Sequence, residues 1–196
     1  MNETEVLYRE IRSCRVCEPH LPLGANPVLV INRLAKILII GQAPGLKVHQ
    51  SGKPWDDQSG KELRAWLGVD EDTFYCSENF GIVPIGFCYP GKGKNGDLPP
   101  RKECALLWQE RVLEQMPNVE LILLVGQYAQ AYYLKKVKRN TLTETVKNYQ
   151  EYLPLYLPLP HPSPRNFIWM AKNPWFKSEV LPVLQERVLH ILEKVS

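Results

Sequence analysis

Four short apolar runs divide the chain, and helical patterns separate them. Ala35–Ile40 is almost wholly apolar, and Glu120–Val125 reads Leu-Ile-Leu-Leu-Val after a single Glu. Runs of this length without polar alternation predict strands buried on both faces of a parallel sheet. Phe80–Phe87 and Leu155–Leu159 predict two more strands. Apolar residues at helical spacing predict helices over Glu3–Ile11, Gly60–Gly68, Arg101–Gln115, Gln127–Lys135, Leu142–Tyr152 and Trp175–Val195. In the second of these, Leu63, Trp66 and Leu67 share a face, and Gly68 predicts the C-cap. In the last, Val180, Val183, Leu184, Val188 and Leu192 form an apolar stripe. Gly41–Ser59 and Tyr89–Pro100, rich in Gly and Pro, predict long loops. The alternation of strand and helix predicts an α/β fold in three layers, α/β/α, around a central, mostly parallel four-stranded sheet.

Composition narrows the classes. A chain of 196 residues suits one domain spanning 1–196, large enough for a real core. A net charge of +3 permits nucleic-acid binding without arguing for it, because strongly basic domains are the informative ones. No apolar run approaches the ~20 residues of a membrane span. Met1–Glu10 lacks the basic-then-apolar pattern of a signal peptide, so the expectation is a cytoplasmic monomer. The five Cys are an odd number, and in a reducing compartment they predict thiols or metal ligands rather than disulfides.

Two segments carry the candidate chemistry. Gly41-Gln42-Ala43-Pro44-Gly45 directly follows the first strand, so it sits at the carboxyl edge of the sheet, where α/β proteins bind ligands. Gly41 and Gly45 allow close approach to a ligand, and Pro44 stiffens the turn. His161-Pro162-Ser163-Pro164 follows the last strand, and its Pro-fixed loop can bring His161 to the same crevice. The expectation is that both loops face one pocket from adjacent parallel strands. Trp55 offers either a flat face for stacking a base or a core ring under the loop. Asp56 and Asp57 are the nearest acids to the first loop. Either they act in catalysis, or one of them caps the helix beginning near Gly60. Cys14, Cys17, Cys88 and Cys104 are separated by two, seventy and fifteen residues. Four converging thiols can bind a [4Fe–4S] cluster or a structural zinc, or remain ordinary buried thiols. Cys76 fits no such spacing and reads as a small buried hydrophobe.

Together these motifs resemble those of the uracil-DNA glycosylase superfamily, nearest to its fourth, iron–sulfur family. That family's first motif reads Gly-Glu-Ala-Pro-Gly, one residue different from Gly41–Gly45. Its Gly-Arg-Pro-Phe stretch, whose ring stacks on the flipped base, matches Gly52-Lys53-Pro54-Trp55. Ser59-Gly60-Lys61-Glu62-Leu63 matches a further helical pattern, and the four Cys match the family's cluster spacings. The resemblance implies DNA as partner, damaged or single-stranded, and hydrolysis of the N-glycosidic bond of a damaged or deaminated base. It implies His161 as donor to the departing base, Gln42 as holder of water, and Gly41, Ala43, Trp55 and Pro84 as walls of a base pocket. Asp57 is the candidate replacement for the missing base. Ser163, Arg165 and Asn166 fall where the family meets the DNA backbone, with Phe167 as an apolar wedge. Lys92, Lys94 and Arg101 are further candidate phosphate contacts. His49 is a second candidate histidine. The favoured metal group is the cluster, with zinc as alternative.

The first motif also diverges. Gln42 stands where the fourth family has a Glu, and Ala43 where the first family has an Asp. Pro84 stands where the fourth family reads uracil with an Asn. An amide takes no proton from water, and proline has no side-chain donor. Uracil excision is therefore expected to be weak or absent. An inactive DNA- or nucleotide-binding member of the same fold is the alternative reading, and a metal-stabilised interaction module is a second.

Overall fold

The two most continuous apolar runs become the two central strands. In the computed structural model, which describes residues 2–194, β1 (Ile37–Ile40) and β5 (Leu121–Val125) are buried at every residue. They pair in parallel. β2 (Phe80–Ile82) adds to the outer edge of β1, and β6 (Tyr156–Leu159) to that of β5, so the order is β2-β1-β5-β6 with every pair parallel. β3 (Lys92–Gly93) and β4 (Gly96–Asp97) form a separate antiparallel hairpin.

Because strand residues alternate between faces, each apolar run feeds two cores. Ile37, Ile39, Leu121, Leu123, Leu157 and Leu159 pack on one side against α3 (Gln58–Leu67) and α9 (Leu181–Glu193). Leu38, Ile40, Ile122 and Leu124 pack on the other against α1 (Glu3–Ser13) and α5 (Lys102–Glu114). Each fully buried Leu or Ile contributes about 1.5–3 kcal/mol relative to exposure. The three-layer α/β/α expectation and the four strands stand. The two motif loops, however, leave β1 and β6, which flank β5 rather than pair with each other.

Local chemistry explains where elements begin and end. The Asp57 side chain accepts the Gly60 N–H at 2.9 Å and caps α3, which ends at Gly68 with φ +69°. The Phe80–Phe87 run ends as a strand at Ile82. Pro84 has no N–H to offer, and beyond it Ile85 and Gly86 donate instead to the carbonyls of Gly41 and Gln42, at 2.9 and 3.0 Å. The Gly41–Ser59 loop contains α2 (Leu46–Ser51), and the Tyr89–Pro100 loop contains the β3–β4 hairpin. α4 (Glu71–Tyr75) and α8 (Phe167–Lys172) are too short to show a clear helical period in sequence. α6 (Gln127–Tyr133) is as expected, while α7 (Leu142–Lys147) gives way to a 3-10 turn over Tyr149–Tyr152. The last helical stretch opens with a π turn over Phe176–Val180, and its expected end, Val195, lies outside the described residues. Trp169, Trp175 and Phe176 pack together beside α9. No helix among the described residues is long and apolar enough to cross a membrane.

Candidate active site

The first motif loop joins β1 to α2, and its shape is set by Trp55. A Cβ at Gly41 would meet the Trp55 ring at 3.1 Å. A Cβ at Gly60, in the first turn of α3, would stand 1.7 Å from the Trp55 carbonyl oxygen. Trp55 itself has φ +57°, a left-handed conformation uncommon for a large side chain. Strain of this kind persists only where the surroundings over-determine it, and it clusters at ligand sites. Its result here is an indole laid over the first loop and beside His161, with ring centroids 5.7 Å apart and planes 35° apart.

The second motif loop leaves β6 and is fixed from three sides. The buried Gln130 of α6 donates to the Leu159 carbonyl at 2.9 Å, just before the motif. The Asn166 amide donates to the His161 carbonyl at 2.6 Å. The Ser163 hydroxyl accepts the Arg165 N–H at 3.3 Å. Burial pushes the His161 imidazole below its ordinary pKa, and Asp57 opposes that shift only in part. At neutral pH His161 is therefore an uncharged ring with one N–H to donate.

Both loops open on one cavity of about 600 Å³. Gln42, Asp57 and His161 line it, as do Gly41, Ala43, Trp55 and Pro84, and so do Ser163, Arg165 and Asn166. The Pro84 carbonyl is held by the buried Gln109 at 2.7 Å, and Gln109 in turn accepts the Tyr133 hydroxyl at 2.6 Å. That wall of the cavity is rigid, and Pro84 brings no side-chain donor to it. Lys92 also reaches the cavity, whereas Lys94, Asp56 and His49 are not among its lining. Arg101 stands elsewhere, paired with Glu103 at 2.5 Å. Phe167 is exposed beside the second loop.

Sequence reasoning missed four polar members of the lining: Ser59, Asn95, Asp97 and Gln127. Gln127 follows β5 after the single residue Gly126, so the strand-then-loop rule that found Gln42 and His161 applied to it as well. Asn95 and Asp97 belong to the β3–β4 hairpin, whose two-residue strands leave no periodic signal.

A model of the uracil DNA glycosylase superfamily matches residues 30–185, which span both loops and all four sheet strands. The chain belongs to that superfamily. A type-4 uracil-DNA glycosylase of Archaeoglobus fulgidus is 26% identical over 132 residues, covering 66% of this chain and 62% of the relative. The match thus takes in about three fifths of that relative's length. A solution NMR structure from Methanosarcina acetivorans, described as a candidate uracil DNA glycosylase, shares 17% identity. It covers 81% of this chain and 94% of that one, with a TM-score of 0.47.

The four cysteines of this superfamily member lie around a second, smaller void. Cys14, Cys17, Cys88 and Cys104 all line one small void of about 20 Å³. As placed, no three Cys, His, Asp or Glu side chains among the described residues are close enough to hold an ion. The donor chemistry nevertheless fits a four-thiolate group. The Phe87 N–H donates to the Cys104 sulfur at 3.3 Å, the Asn26 N–H faces Cys88, and the Arg101 guanidinium lies beside Cys17. Such donors stabilise thiolates bound to a metal. Burial raises all three thiols, Cys88 to about 11 and Cys104 to about 12, so without a cation they stay protonated. The Arg101 Nε is buried with no partner, a polar atom left for a charged group to satisfy. Cys76, expected to be buried, is exposed at the end of α4.

Proposed function

We propose that this protein hydrolyses the N-glycosidic bond of a damaged or deaminated base in DNA. The observation that carries this reading is the convergence of Gln42, Trp55 and His161 on one cavity large enough for a flipped nucleotide. The target base leaves the stack and enters the cavity. Trp55 stacks on its face. His161 donates its single N–H to the base carbonyl oxygen, where negative charge grows as the bond breaks. Gln42 orients the attacking water through its amide oxygen. Asp57, whose carboxylate both caps α3 and faces His161, holds the donor ring in place electrostatically. Ser163, Arg165, Asn166 and Lys92 rim the opening and meet the DNA backbone. A second reading, a DNA- or nucleotide-binding protein without base release, is favoured by the missing carboxylates at Gln42 and Ala43.

Incubation with oligonucleotides that each carry one modified base, followed by abasic-site cleavage, separates the two. Release of one or more bases supports the enzyme, and tight binding without release supports the binding protein. Uracil release is expected to be weak, because a lost polar reader such as that at Pro84 costs discrimination. Gln42→Glu should raise uracil release measurably in the same assay. If Gln42→Glu leaves release unchanged, Gln42 does not face the attacking water.

We further propose that Cys14, Cys17, Cys88 and Cys104 hold a [4Fe–4S] cluster. When bound, the cluster supplies a structural cross-link between the N-terminal segment and the wall of the pocket. The link to the site is direct. The Cys88 segment donates from Ile85 and Gly86 to the carbonyls of the first motif loop, and from Phe87 to Cys104. Anaerobically purified protein is expected to carry iron and a broad visible absorbance. Cys104→Ala should abolish both and lower thermal stability. Zinc without iron would keep the site and remove the cluster.

A further inference from the structure

Asp97 is the one acid in the Tyr89–Pro100 loop, and the β3–β4 hairpin carries it over the first motif loop. Its Oδ2 stands 3.5 Å from where a Gly45 Cβ would be, three residues beyond Gln42. It lines the same cavity as Gln42 and His161. The segment after His161 holds it there. Arg165 donates from Nη1 to the Asn95 carbonyl at 2.7 Å, and a Cβ at Gly96 would stand only 2.5 Å from that nitrogen. Glycine at 96, with φ +135°, is therefore required for the clasp. Asp57 has one oxygen engaged by the α3 N-terminus, whereas Asp97 ends a strand and caps no helix.

Resting on the glycosylase reading, we propose that Asp97 takes the proton from the hydrolytic water, in place of the carboxylates absent at Gln42 and Ala43. In this step the C1′–N bond breaks and its electron pair leaves with the base, against the His161 N–H. The water oxygen forms the new bond to C1′. Its proton goes to the Asp97 carboxylate and passes from there to the departed base, which restores the carboxylate. The same carboxylate faces the positive charge that develops on the sugar. Partial burial raises the Asp97 carboxyl above its ordinary range, in the direction that suits a base. Arg165 and Lys92 face it and pull it down, Asp57 pushes it up, Tyr89 lies near it, and His161 lines the same cavity.

The test uses Asp97→Asn in the full chain, with two readouts. In single-turnover base release from the modified oligonucleotides, the variant is expected to be slower by about 10²-fold or more. The wild-type rate should rise with pH through the Asp97 titration, and the variant should lose that limb. The second readout needs no turnover. An oligonucleotide carrying a cationic pyrrolidine at the target position should bind the wild type about tenfold more tightly than one carrying neutral tetrahydrofuran. The variant should lose this preference. Wild-type rate and pH profile in the variant would overturn the proposal, as would an unchanged cation preference. If the wild type releases no base from any oligonucleotide, the glycosylase reading falls and water activation falls with it. Loss of the cation preference in the variant would then still place Asp97 against the sugar, and its retention would remove Asp97 from the site altogether.

Discussion

His161→Ala is expected to slow base release by about 10²–10³-fold, the usual loss on removing one preorganised donor to a developing anion. The loss should fall on the chemical step, because the ring is held before the substrate arrives. Its loop is tied by Asn166 to the His161 carbonyl and by Gln130 to the Leu159 carbonyl, so the backbone survives truncation of the side chain. The imidazole is half-buried beside Trp55, and its lowered pKa makes it a neutral donor at physiological pH. A neutral donor contributes little to the attraction of DNA, which comes from the Lys and Arg residues at the rim. Single-turnover rates should therefore drop, while fluorescence anisotropy shows nearly unchanged affinity for the same oligonucleotide. An unchanged rate would take His161 out of the chemistry.

Gly60→Ala is the other change with a large expected effect, and it acts through the backbone. The new Cβ would stand 1.7 Å from the Trp55 carbonyl oxygen, which no side-chain rotation can relieve. Either α3 moves, or Trp55 leaves its left-handed conformation and the indole shifts away from His161. Overpacking of this severity costs about 3 kcal/mol or more. For a chain of this size the melting temperature should then fall by about 6–12 °C. Base release should fall as well, since the stacking face is displaced. Gly52→Ala provides the contrast. That position has φ +71° but nothing within 4 Å of a Cβ, so only the left-handed penalty of about 1–2 kcal/mol applies. Equal melting temperatures for the two variants would mean that the Trp55–Gly60 contact is not maintained.

The fold was largely legible because its signals are local. Glu120–Val125 and Ala35–Ile40 are apolar throughout because both of their faces are covered, and a residue buried from both sides leaves a continuous run. Asp57 and Gly68 mark the ends of α3 because capping geometry admits few side chains. The two motif loops were readable for a related reason: a strand that ends in Gly and Pro must deliver its next side chains to the carboxyl edge of the sheet. By itself the sequence thus determined the layered sheet and the placement of Gln42 and His161 at one edge.

Other features were decided only by the tertiary structure. β5 separates the strands that bear the two loops, because sheet order follows from packing and not from chain order. Arg101, a candidate phosphate contact by sequence, lies instead beside Cys17 and pairs with Glu103, because the fold brings the Cys14–Cys17 segment up to the start of α5. Cys76, a small hydrophobe by sequence, is exposed. Asp97 had no local mark at all. A two-residue strand carries no period, and its carboxylate reaches the first loop only because Arg165, far along the chain, holds the hairpin from the other side. Short-range chemistry writes itself into neighbouring residues, whereas a contact between distant segments leaves no pattern in either until the chain has folded.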